Sequence, residues 1–261
     1  DHGRSAEAVG YLERAGRAAP QCDLTFYNLG LVYHILSRYD AAVANYQRAI
    51  SLKPDLTVAH IGLGNSLFAK GDAANAQRAY AKALDLAPNN ADAHYNLANV
   101  LVHQKDIAGA VEHYTRAIQI QPALAAAHKN LAGVLLDQGQ TGPAIEQYEQ
   151  ALAAQPAYLD VALHLANFYA TSADSALRRP ARAVQLAEHV VAATHRRDLN
   201  AMIALATAYG EDGRPDQAAA VAREAMGLAA TGLDPAAQEQ VRTRLSRYLA
   251  AGASQNASGR Q

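Results

Sequence analysis

The chain has 261 residues, half of them hydrophobic but only 6% aromatic, with no tryptophan, a formal net charge of −1 and one cysteine, Cys22. Near-neutral charge excludes a global electrostatic pull towards nucleic acid or an acidic membrane surface, and a single cysteine excludes an internal disulfide framework. No apolar run approaches the roughly 20 residues that span a bilayer, and no stretch reads as a signal peptide.

In chain order, residues 4–18 place Val9, Leu12 and Ala15 at helical spacing and stop before Pro20. From there proline keeps time: Pro20, Pro54, Pro88, Pro122 and Pro156 stand 34 residues apart, as do Tyr46, Tyr80, Tyr114 and Tyr148, and Ala49, Ala83, Ala117 and Ala151. A fixed period of that length marks stacked supersecondary units, a quasi-one-dimensional array rather than one core. Against this period, residues 1–22 supply only the second helix of a unit. The chain also begins inside a helical pattern, so it is expected to be a fragment or processed form.

Full units are expected at 23–56, 57–90, 91–124 and 125–158. In the third, the first helix carries apolar Leu97, Val100 and Leu101 at i, i+3 and i+4 before polar residues take over. Short breaks follow at Ser37–Asp40, Gly71-Asp72, Lys105-Asp106 and Gly139-Gln140. The second helix then runs to the proline, which cannot continue it and biases its predecessor away from the helical region. No window alternates with period two, so the class is all-α.

The fifth unit, 159–197, starts regularly and then holds an insertion with Ser172, Ser175 and Arg178-Arg179-Pro180. Pro180 suits the first turn of a helix, where its missing N–H has no partner to lose. A sixth unit at 198–232 recovers the pattern. Asp234-Pro235 then opens a helix over 233–250 with Val241, Leu245, Tyr248 and Leu249 on one face and Arg242, Arg244, Arg247 and Glu239 elsewhere. One apolar and one charged face is what a terminal cap requires. Residues 251–261, small and polar, read as a disordered tail.

These units resemble the tetratricopeptide repeat (TPR), a helix–turn–helix of 34 residues with a W-x2-L-G-x2-Y, A-x3-F and P pattern. Leu97, Ala98, Ala110, Tyr114 and Pro122 fill those slots in one unit, and Leu29, Gly30, Tyr33, Ala42, Tyr46 and Pro54 in another. The tryptophan slot departs, holding Phe26, His60, His94 and His128. The resemblance covers residues 4–232 and implies a superhelical solenoid of antiparallel helix pairs, with the first helix of each pair on the inner, concave wall. Within that family, AHYNLANVL and AHKNLAGVL look like the repeats of O-GlcNAc transferase and of bacterial TPR proteins, where an asparagine ladder on the inner wall holds an extended polypeptide by its backbone. The matching positions are Asn28, Asn96 and Asn130, with polar His164, while Gly62 interrupts the series. Asn65, Asn99 and Asn167 lie three residues on, and so on the same face.

A carboxamide offers two donors and an acceptor, which match a peptide unit without reading its side chains. Tyr27, Ile61, Phe68, Tyr95 and Leu163 accompany the amides, and Lys129 is the one basic residue among inner positions, beside Asp92, Asp137 and Asp160. The basic clamp that some relatives use for a C-terminal carboxylate is therefore missing, and the wall suits an extended, partly apolar peptide. Histidines in one slot of successive repeats are kept apart by helix spacings of about 8–10 Å, so His60, His94 and His128 read as replacements for the packing tryptophan, with no metal and no cofactor. No phosphate loop, nucleophile elbow or H-E-x-x-H motif occurs. Arg178, Arg179, Arg182, Arg196 and Arg197 gather at the enlarged unit, either as a dock for an anionic ligand or as a solvated rim that caps helix ends.

The expected function is a non-catalytic protein-interaction module that binds an extended polypeptide through Asn28, Asn65, Asn96, Asn99, Asn130, His164, Asn167, Tyr95 and Lys129. Two alternatives stand beside it: a self-assembling scaffold, and the substrate-selecting arm of a larger glycosyltransferase-type enzyme. Nucleic acid is not an expected partner. The compartment is left open.

Overall fold

The computed structural model describes the backbone of residues 2–258 and the side chains of 7–250. Its fourteen α-helices and one short 3-10 turn divide after Gln138 into two compact units, and no strand occurs among the described residues.

The first unit holds α1 (His2–Ala18), α2 (Asp23–Ile35), α3 (Tyr39–Leu52), α4 (Thr57–Ala69), α5 (Ala73–Leu86), α6 (Ala91–His103), α7 (Ile107–Ile120) and α8 (Ala125–Asp137). Within each pair, α2/α3, α4/α5 and α6/α7, small residues let the helices approach. Ala42, Ala49, Ala76, Ala83, Ala110 and Ala117 have no exposed surface at all. Tyr46, Tyr80 and Tyr114 fill the space between helices and are the largest fully buried side chains among the described residues of the unit.

Glycine marks where these rings need room. A Cβ on Gly30 of α2 would stand 2.8 Å from the Tyr46 ring, and one on Gly62 of α4 would stand 2.5 Å from it. Tyr46 of α3 is therefore wedged between the first helices of two successive pairs, and that wedge sets how α2 lies beside α4. The partial first pair closes the same way: Val9 and Leu12 of α1 join Phe26, Tyr27 and Leu29 in one apolar cluster, and the Tyr33 hydroxyl donates to Glu13 at 2.6 Å.

The turns between paired helices repeat one backbone device. Ser37, Gly71 and Lys105 take positive φ (57°, 85° and 65°), and the next N–H reaches back to close the helix end, as Asp72 N does to Leu67 O at 2.9 Å and Asp106 N to Leu101 O at 2.9 Å. The second helix then starts on a side-chain cap where the sequence supplies one. Asp72 accepts from Asn75 N at 3.2 Å and Asp106 from Gly109 N at 3.0 Å.

The second unit holds α9 (Thr141–Ala154), α10 (Leu159–Thr171), α11 (Pro180–Ala193), α12 (Leu199–Glu211), α13 (Pro215–Gly232) and α14 (Pro235–Ser258). The insertion after α10 forms a 3-10 turn, Ser175–Leu177, pinned by Arg178 Nε donating to Ser172 O at 2.7 Å, and Pro180 sits in the first turn of α11. Helix α12 is buried along nearly its whole length. Its last turn carries Gly210, over which Tyr248 of α14 lies so closely that a Cβ there would stand 2.1 Å from the ring. Val241, Leu245 and Tyr248 of α14 are buried while Arg247 reaches Glu211 at 2.8 Å, so this helix covers apolar surface on one face and is charged on the other.

One expectation is corrected: α14 runs through residue 250 to Ser258. Alanines 250, 251, 253 and 257 favour helix strongly enough to carry it past Gly252. The rest of the expected tail, 259–261, lies outside the described residues.

Candidate functional site

The amides of the first unit fall into two kinds. Asn65 and Asn99 serve the core tyrosines. Tyr80 OH donates to Asn65 Oδ1 at 2.6 Å, and Tyr114 OH donates to Asn99 Oδ1 at 2.5 Å. Burial holds both phenols well above their ordinary pKa, Tyr114 to about 12, so they remain donors. Asn99 Oδ1 also accepts from Asn130 Nδ2 at 2.9 Å, which fills both its lone pairs, and Asn130 Nδ2 donates its second hydrogen to Tyr95 OH at 3.3 Å. The structure therefore joins Tyr95, Asn99, Asn130 and Tyr114 into one network across α6, α7 and α8. Tyr95 leans on Tyr114 with ring centroids 6.0 Å apart.

Asn28 and Asn96 are the other kind. Asn28 is exposed and Asn96 half-buried, and neither makes a hydrogen bond to another described residue. They keep two donors and an acceptor each. Asn65 and Asn99 keep their amino groups, and Asn130 keeps its oxygen.

Between these amides runs an apolar stripe. Leu24, Asn28, Leu31 and Ile35 recur at i, i+4, i+7 and i+11 on one face of α2, and the three apolar members are 54%, 40% and 53% exposed. Val58 of α4 adds another exposed side chain. Lone apolar residues on a surface mean little, whereas several on one helix face mark a contact surface. This stripe was readable at helical spacing, but Leu24, Leu31 and Ile35 look like core residues until the partner helices are known.

Lys129 is half-buried on α8 and has interactions of its own. In the second unit, His164 is exposed with its ring 6.0 Å from that of Tyr148, and Asn167 Nδ2 donates back to Leu163 O at 3.0 Å. Around the insertion, Arg196 pairs with Glu224 at 2.7 Å, Arg182 with Glu149 at 3.3 Å, and Arg179 stacks on Tyr169. Those arginines are spent on neighbours, as a solvated rim would be.

The slot histidines have one job in common. The Nε2 atoms of His60, His94 and His128 lie 2.9, 3.0 and 3.0 Å from the carbonyls of Pro54, Pro88 and Pro122. A carbonyl only accepts, so each Nε2 carries the proton, and histidine tethers each pair to the turn before it. No group of three or more His, Cys, Asp or Glu is placed to hold a metal among the described residues.

Residues 61–125 match a family model described as tetratricopeptide repeat, and residues 30–71 match one described as TPR repeat. No curated protein matches the chain. Among solved structures, MamA 41-end from Desulfovibrio magneticus RS-1 is 20% identical with a TM-score of 0.55, over 60% of this chain and 88% of that one. A MamA RS-1 double mutant is similar at 19% identity and TM-score 0.55, over 59% and 86%. The APC/C hetero-tetramer Cut9–Hcn1 aligns with 95% of this chain and 46% of that one, at 16% identity and TM-score 0.60. At such identities the likeness shows the fold.

Sequence and fold thus define a class: residues 30–125 carry tetratricopeptide repeats, and each unit is an all-α stack of antiparallel helix pairs among the described residues. Repeats of this family support a module of the protein-interaction or scaffold kind, and a fold built of them is typically non-catalytic. No helix among the described residues is long and apolar enough to cross a membrane.

Proposed function

We propose that the first unit binds an extended, partly apolar polypeptide on the faces of α2, α4, α6 and α8, without catalysing a reaction on it. One observation carries this reading: uncommitted amide groups at Asn28 and Asn96 share these helices with the exposed Leu24, Leu31, Ile35 and Val58. An extended strand presents a carbonyl and an N–H at every residue and side chains to alternate sides. Free carboxamides meet the first requirement and the apolar stripe meets the second. Asn65 and Asn99 add amino groups that suit peptide carbonyls, while Asn130 adds an acceptor for a peptide N–H.

A peptide selected from a random display library on the chain tests the proposal. Its affinity for the variant carrying Asn28→Ala and Asn96→Ala should fall about tenfold, one step of ~1.4 kcal/mol, with the helical circular dichroism unchanged. Equal affinity would remove the proposal.

A second reading, self-association into a scaffold, draws on the same exposed stripe together with Tyr11 of α1, which is 67% exposed. Light scattering over a concentration series separates the two. A monomer at all concentrations that still captures peptide leaves only the first.

A further inference from the structure

His94 of α6 and His113 of α7 face each other through their Nδ1 atoms, 2.8 Å apart, with ring centroids separated by 5.1 Å and planes inclined by 33°. This contact has no counterpart in the preceding repeat: His60 makes the same bond to its proline carbonyl, but the residue in the place of His113 is Ala79. The Pro88 carbonyl fixes the His94 proton on Nε2, so His94 Nδ1 presents a lone pair and His113 Nδ1 must donate to it. His113 Nε2 makes no hydrogen bond to another described residue, and burial holds this ring below the ordinary histidine pKa. Both rings border an open cleft with Glu112, Thr115 and Arg116. Arg116, also on the cleft wall, donates to Asn89 Oδ1 at 2.7 Å and to Gln119 Oε1 at 3.3 Å.

We infer that His94 and His113 form a two-imidazole site for a divalent cation of square-planar habit, Cu2+ above all, with water completing the coordination. A carbonyl behind one ligating imidazole is the outer-shell arrangement that sets tautomer and orientation at metal sites. The 2.8 Å contact is a hydrogen bond between the rings and is given up when an ion binds, so the metal is chosen by ligand type: imidazole affinity peaks at Cu2+ in the Irving–Williams order.

Binding needs one rearrangement. The lone pairs now point along the line between the nitrogens and must converge on a point beside it. His94 is tethered, so His113 is the ring that turns, into the cleft. Its Nδ1 proton is given to solvent and one is taken up at Nε2, so the ring stays neutral and no net proton is released. Glu112, on the same side as the entering ion, offsets its charge. The bound ion would clamp the first turn of α6 to the middle of α7.

Titration of the untagged chain with Cu2+, followed by calorimetry and electron paramagnetic resonance, tests this. The expected result is a tetragonal Cu2+ signal with two nitrogen ligands, and a melting temperature that rises with the metal and falls back with a chelator. His113→Gln should weaken that site by at least the roughly tenfold typical of losing an outer-shell partner, while His60→Gln leaves it intact. Equal Cu2+ affinity in wild type and His113→Gln overturns the proposal. If His113→Gln melts early without metal, ring-nitrogen spectra of the wild type decide instead. Substoichiometric Cu2+ should broaden His94 and His113 first, and sharp lines from both while other histidines broaden would overturn it equally.

Discussion

Tyr114 donates its hydroxyl to Asn99 Oδ1 at 2.5 Å, from the second helix of a repeat to the first. The same bond joins Tyr80 to Asn65 one repeat earlier. An asparagine that faces the inner wall in sequence is, in the structure, half a core residue: its oxygen satisfies a buried phenol and only its amino group remains for a ligand. Asn99→Ala strands the Tyr114 hydroxyl and an Asn130 hydrogen, which should cost about 1–3 kcal/mol, whereas Asn96→Ala should be near neutral. Urea unfolding of both variants checks this. Equal midpoints would mean that the network contributes nothing.

The wedge of Tyr46 between α2 and α4 makes the glycines unequal. Gly62→Ala puts a Cβ into the Tyr46 ring, an overpacking worth about 1–3 kcal/mol, against a helix-propensity gain of about 1 kcal/mol. Gly133→Ala meets nothing within 4 Å and keeps the gain. The first variant should therefore unfold at lower denaturant than wild type and the second at higher. A rise for Gly62→Ala would show that the ring moves aside.

Lys105 occupies with φ 65° the turn position that Gly71 holds in the preceding repeat. The left-handed region costs a residue with a side chain about 1–2 kcal/mol, partly offset by the entropy that glycine loses on folding. Lys105→Gly should stabilise the chain by about 0.5–1 kcal/mol, read as a higher melting temperature, and Gly71→Ala should do the reverse. No change in either would remove backbone strain as the reason for glycine in these turns.

The fold was legible because its causes are local and periodic. Proline ends the second helices, and tyrosine and alanine recur where helices cross. The site was legible only as a face. Asn28, Asn65, Asn96 and Asn99 look alike in sequence, and what separates them is whether a tyrosine fifteen residues on, in the opposing helix, has a buried hydroxyl to satisfy. That need could have been read from Tyr80 and Tyr114, since a buried phenol seeks a partner. The His94–His113 contact could not, because it depends on a residue at one helical position that no other repeat fills with histidine.

Buried tyrosines also set an alkaline limit. Tyr114 and Tyr169 are both raised to about 12, in each case chiefly by burial. Folded protein therefore keeps these protons where unfolded chain has lost them, and stability falls as pH rises from about 10 towards 12. Melting temperature against pH should drop across that window, and less steeply for Tyr114→Phe. Identical profiles for variant and wild type would contradict this.

The central claim, that uncommitted amides on the first unit hold a polypeptide backbone, is met most directly by the side-chain NH2 resonances of asparagine. Titrating the selected peptide into 15N-labelled chain should shift the NH2 signals of Asn28, Asn65, Asn96 and Asn99, whose amino groups have no partner among the described residues. Saturating peptide that leaves those four signals in place would contradict the account.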